Sequence, residues 1–163
     1  MRGTRAQLRL GAALATGLVL LSLPIVVWPQ EKTLVDYRRE GDAIVVPLSA
    51  GASDPRRGMT VAAGRELGNC GICHYLSLPG ISPAAFGTLG PSLAGVGARL
   101  SAGQLRLRIV DASLLNPDTR MPAYYRVDGF TRVAPAFRDR PILNARQVED
   151  LVAYLASLQA TAP

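Results

Sequence analysis

Three residue types that often carry polar chemistry are nearly missing from this 163-residue chain. It has one histidine, two cysteines and a single lysine, Lys32. The shortage excludes whole classes of site. A structural zinc centre draws about four ligands from Cys and His, and a cysteine-held iron–sulfur cluster needs four thiolates. Two thiols and one imidazole supply neither set. At most one disulfide can form, so the chain is not a disulfide scaffold. Aromatic residues make up only 6% of the sequence. A small domain so thin in large rings needs a further source of stability, such as a bound group.

What is present is a glycine- and proline-punctuated chain, with 16 Gly and 12 Pro, that is 48% hydrophobic. That is enough apolar material for one packed domain, and loops must make up much of it. The formal net charge is +6, yet nucleic acid is not the partner this charge implies. Arg2, Arg5 and Arg9 fall in a leader-like start. The other arginines are interleaved with Asp and Glu and form no basic stripe with aromatics between. A mildly basic surface of this kind fits a protein partner.

Residues 1–30 combine that basic start with an apolar run over residues 10–28. This is the pattern of an export signal. The run also approaches the length of a membrane span, and no small-x-small cleavage site follows it. Two fates therefore stand, a cleaved signal, which we favour, and a retained N-terminal anchor. Both place the rest of the chain outside the cytoplasm, in the periplasm, with a membrane tether only if the leader is kept.

Residues 31–53 read as an extended, irregular arm. Its one β-like run, DAIVVPL, is kept out of a central strand by Pro47. A first helix is expected over about residues 55–67, capped by Ser53 or Asp54, with Pro55 in its first position and Gly68 as its stop. Residues 78–97 form a long loop, which in a small domain usually wraps something. A second helix starts at the capping-box pair Ser101 and Gln104, and a last one at Asn144 and Gln147. The last helix carries the apolar stripe Val148, Leu151, Val152 and Leu155. The expected architecture is all-α, three to four short helices joined by long loops, with residues 54–163 as the domain.

Both cysteines and the histidine stand in GNCGICHYL, as Cys70, Cys73 and His74. A thioredoxin-like redox pair is expected after a strand in a βαβ setting, which the preceding sequence lacks. A disulfide between residues three apart closes too small a loop to restrain much, and it leaves His74 unused. C-x-x-C-H is also the attachment pattern of c-type haem, and that chemistry uses all three residues. On one helical turn, positions 70, 73 and 74 share a face. Each thiol adds to one haem vinyl group, and the imidazole ligates the iron.

The sixth iron ligand cannot be a second histidine. Methionine is the alternative in electron carriers, and beyond the leader there are Met59 and Met121. Met121 lies in a late, proline-punctuated loop, DTRMPAYY, which can cross the opposite face of the ring from His74. Met59 is in the first helix and is less able to do so. Lys32 is a remote third candidate. An iron with both faces filled has no open position for substrate, which favours electron transfer over oxygen chemistry.

GNCGICH followed by GTLGPSLAGVGARLSAGQLRLRIVDASLLNPDTRMPAYY and RPILNARQVEDLVAYLASLQ resembles the SoxX family. These are the monohaem cytochrome c subunits of the sulfur-oxidising SoxAX complex. The likeness spans roughly residues 54–159, with a weaker echo in YRREGDAIVVPL, and the stretch around Met121 is its most specific part. It implies the class I cytochrome c fold wrapped around one covalent haem c, with His74 and Met121 as axial ligands. It implies that the Pro91 carbonyl, after Gly90, accepts a hydrogen bond from the proximal imidazole. Gly58 and Tyr154 match a close helix crossing, and Phe86 and Leu93 match pocket walls. Tyr124 and Tyr125 follow the Met121 loop and are candidates for the haem edge, for the SoxA interface, or for core filling. The implied role is the electron-accepting subunit of an L-cysteine S-thiosulfotransferase, idle by itself. It would be paired with a SoxA-like cytochrome, in part through the arm, and discharged by a small soluble cytochrome c. The alternative is a stand-alone or tethered carrier of a respiratory chain.

Overall fold

A computed structural model describes residues 34–76 and 78–159; the leader and Lys32 lie outside them. Helix α1 (Pro55–Ala63) starts where the Asp54 side chain accepts from the Arg56 amide, with Pro55 at the first position. It stops four residues earlier than the sequence predicts. Gly64 turns to an extended conformation, its amide bonded to the Thr60 carbonyl, and Leu67 folds back over it. Of two glycines able to end the helix, the first one does so. Gly68 instead closes the following turn, its amide on the Val61 carbonyl at 3.0 Å.

Helix α2 (Val96–Arg99) is a single turn. Helices α3 (Ala102–Asp111) and α4 (Ala145–Ser157) begin at the two expected capping boxes, each with both reciprocal bonds formed. A 3₁₀ turn, Ala112–Leu114, extends α3. Among the described residues the only β pairing is an isolated bridge between Glu40 and Ala43.

Helix α4 is the element the others pack on. Val148, Leu151, Val152 and Leu155 are all buried. Helix α1 crosses it at Gly58, where an added Cβ would fall on the Asp150 carbonyl and 2.6 Å from the Tyr154 Cβ. Only glycine permits that approach. Arg57 fixes the crossing with two 2.7 Å hydrogen bonds to the Asp150 carboxylate, which also accepts the Asp54 amide.

Helix α3 is joined to α4 by a buried ion pair that sequence reading missed. Arg106 Nε and Nη2 meet the two Glu149 carboxylate oxygens at 2.7 and 2.8 Å. The same two side chains reach the arm, because Arg106 Nη1 donates to the Ile44 carbonyl and Glu149 accepts the Leu48 amide. The arm is thus irregular, as expected, but its inner half belongs to the domain core. Ile44 and Leu48 are buried, whereas Val45 and Val46 stand in solvent.

Candidate functional site

Cys70, Cys73 and His74 lie on one tight turn, Cys70–Ile72 being a 3₁₀ helix. The amides of Cys73 and His74 both reach the Cys70 carbonyl, at 3.2 and 2.9 Å. Neither cysteine is in a disulfide. Cys70 is buried, and burial pushes its thiol up to about 11, which keeps it neutral. Cys73 and His74 are half-buried and so accessible.

The long loop after this turn lies along the turn itself. The amides of Gly87, Gly90 and Leu93 bond in succession to the carbonyls of Gly71, Cys73 and Tyr75 at 2.8–3.0 Å. This ladder brings Pro91 to His74, whose Nδ1 lies 2.7 Å from the Pro91 carbonyl. A carbonyl can only accept, so Nδ1 carries the proton and the Nε2 lone pair is left for a metal. Gly90 packs on the ring. A Cβ there would be 2.6 Å from Nδ1 and 2.8 Å from Nε2.

Met121 comes from the far end of the chain. Asn116, Asp118 and Thr119 form a tight turn, in which the Asn116 side chain takes the Asp118 amide and Thr119 Oγ1 takes the Met121 amide. Beyond it, the amides of Tyr124 and Tyr125 bond to the carbonyls of Ile109 and Val110 at 3.2 Å. Those carbonyls lie in the last turn of α3, where intrahelical partners run out. Met121 itself is half-buried against the core. Met59 is 38% exposed on α1 and edges a shallow cavity with Pro79 and Ile81.

Phe86 stacks edge-on against Tyr75, 5.5 Å between centroids. With Ile72, Leu76 and Leu78 it lines a cavity of about 620 Å³ beside the cysteine turn. Neither cavity is lined by His74 or Met121, so the donor atoms, not the cavity size, locate the site. Leu93 is half-buried against the core.

These residues fit a covalent haem. Two uncrosslinked thiols and an imidazole of defined tautomer sit on one turn, with a glycine holding the ring. The Tyr154 hydroxyl is buried with no hydrogen-bond partner among the described residues. Burial and the nearby Cys70 raise its pKa. An orphaned donor beside the cysteines is what a site completed by a further group leaves behind.

Comparison with known families matches cytochrome c over residues 57–159. The chain belongs to the cytochrome c family. Its cofactor is accordingly one haem c, attached covalently, as a single CxxCH motif allows. Among solved structures, this cytochrome is similar to a chain in the crystal structure of SoxXA from P. pantotrophus. The two are 35% identical with a TM-score of 0.69, and the match covers 76% of this chain and 94% of that one. No curated protein matches the chain. The resemblance to SoxX and the all-α class I cytochrome c fold both stand on these findings.

Proposed function

We propose that this cytochrome is the electron-accepting subunit of a SoxAX-type complex that joins thiosulfate to a carrier-protein cysteine. One observation carries the reading, the 35% identity extending over 94% of a chain of SoxXA. The haem when bound supplies reversible one-electron iron chemistry. Cys70 and Cys73 would tether it, and His74 would ligate the iron through Nε2 while Pro91 holds the ring and raises its basicity. Met121 would be the sixth ligand; its place behind a fixed turn supports it over the exposed Met59. No residue of this chain then meets substrate, and none is catalytic.

Joining thiosulfate to a thiol forms one S–S bond and releases two electrons and a proton. The partner cytochrome would host that chemistry, and the electrons would leave singly through this subunit to a small soluble cytochrome c. The exposed Val45 and Val46 support a role for the arm in partner contact. Export to the periplasm is part of the reading, supported by the basic and apolar segments of residues 1–30.

Co-expression with a SoxA-like subunit tests it. The expected result is a stable heterodimer whose single-haem subunit is reduced by thiosulfate and a carrier thiol only when the partner is present. Reduction of the isolated chain by thiosulfate, or no complex with any such partner, overturns it.

A further inference from the structure

Tyr124 is buried, 7% exposed, and three residues past Met121. Its hydroxyl donates a 2.7 Å hydrogen bond to the carbonyl of Gly68, 56 positions away and two residues before Cys70. Gly68 is held from its other side by the Val61 carbonyl of α1. The backbone of Tyr124 is fixed twice more, its amide on Ile109 and its carbonyl accepting from Leu143 at 3.0 Å. One side chain therefore joins the segment that carries Met121 to the segment that carries Cys70, Cys73 and His74. Tyr125, its neighbour, faces elsewhere, and its hydroxyl accepts the Val35 amide of the arm at 2.8 Å.

We propose that Tyr124 is a positioning residue that latches the Met121 loop to the haem-attachment segment and so sets how tightly Met121 holds the iron. The proposal rests on the reading of Met121 as the sixth ligand. Lifting Met121 away requires the loop to part from the cysteine turn, and with the latch in place that motion strands a buried carbonyl at Gly68 and a buried phenol. Burial raises the Tyr124 pKa, so the phenol stays a donor at any ordinary pH. Tyr124→Phe removes the bond and keeps the ring. In that variant the Gly68 carbonyl is unpaired whether or not Met121 is bound, so ligand release no longer costs the latch.

The test is imidazole binding to the ferric holoprotein, which competes for the sixth position. Tyr124→Phe is expected to bind imidazole about tenfold more tightly, the scale of one buried hydrogen bond. Tyr125→Phe is expected to stay within about twofold of the parent, and Tyr124→Phe to have no effect in a Met121→Leu background. An unchanged Tyr124→Phe affinity overturns the latch. So does an equal rise in both backgrounds, which places the effect on the His74 side, or an equal rise in Tyr125→Phe, which means general loosening. Parent-like imidazole affinity in Met121→Leu alone overturns the ligation reading, and the latch with it. If Tyr124→Phe yields no holoprotein, the parent still decides. A slowly exchanging Tyr124 hydroxyl proton is expected by NMR in the parent ferric holoprotein and should vanish when saturating imidazole takes the sixth position; its persistence overturns the latch.

Discussion

The backbone of Gly90 lies flat against the His74 imidazole, so a methyl group at position 90 would overlap the ring. The ring cannot move aside without leaving the Pro91 carbonyl that fixes its tautomer. Gly90→Ala should therefore disturb the proximal side specifically. We expect a stability loss of about 1–3 kcal/mol from overpacking and a weaker axial field, seen as a high-spin fraction in the ferric spectrum. Gly80 is the control. It has a positive φ of 75° with open space around it, so Gly80→Ala should cost about 1–2 kcal/mol of backbone strain and leave the spectrum unchanged. Equal spectra for the two variants would show that the Gly90 contact does not set the ring.

The Arg106–Glu149 pair predicts a different pattern. Removing one partner, as in Glu149→Ala, leaves a buried guanidinium unpaired and should cost about 3–5 kcal/mol. Replacing both with apolar residues of similar size is often nearly neutral elsewhere. Here it should not be, because the Ile44 carbonyl and the Leu48 amide lose their partners too. We expect Arg106→Met with Glu149→Leu to remain destabilised by about 1–3 kcal/mol and to open the arm near residues 44–48 to protease. Denaturant midpoints and limited proteolysis of the holoprotein check both parts. A fully stable double variant with a protected arm would show that the pair does not anchor it.

Local chemistry was the legible part of this molecule. Both capping boxes act within three residues, and Cys70, Cys73 and His74 need only one turn, so spacing alone placed them. The end of α1 was misplaced because Gly64 and Gly68 are equally good stops locally, and Leu67 folding back decides between them. The Arg106–Glu149 pair joins residues 43 apart. Arg106 sits between Leu105 and Leu107, and Glu149 and Asp150 stand between Val148 and the apolar Leu151 and Val152. Charges inside an apolar face call for a partner, but which partner depends on the fold. The Tyr124–Gly68 bond had no sequence signal, since it exists only once α3 carries the late loop back to the cysteine turn.

Asp150 gives a pH dependence with a definite sign. Desolvation pushes its carboxyl up, but the Arg57 hydrogen bonds, the Asp54 amide and the charges of Arg57 and Arg146 outweigh that and hold it below the usual carboxylate range. A lowered folded pKa means the stabilisation is complete above the unfolded value of about 4 and is lost as pH falls through the folded one. Asp150→Asn should thus cost about 1–3 kcal/mol at pH 7 and progressively less below about pH 4. Urea unfolding at pH 7 and pH 3 measures the gap. A gap that is constant, or wider in acid, would mean that Asp150 does not draw its stabilisation from Arg57.

The two methionines can be separated by one pair of variants. Met121 follows a turn pinned by Asn116 and Thr119 and precedes a segment bonded to the end of α3. Met59 is 38% exposed on α1. If Met121 ligates the iron, Met121→Leu removes the thioether that favours the ferrous state. The potential should fall by on the order of 100 mV, a fraction of the roughly 0.8 V that axial ligation spans. The sulfur-to-iron charge-transfer band should vanish, and the ferrous form should bind carbon monoxide readily. Met59→Leu should change none of these, because a partly exposed side chain swapped for one of similar volume alters little packing. Loss of the band in Met59→Leu with its retention in Met121→Leu would reverse the assignment.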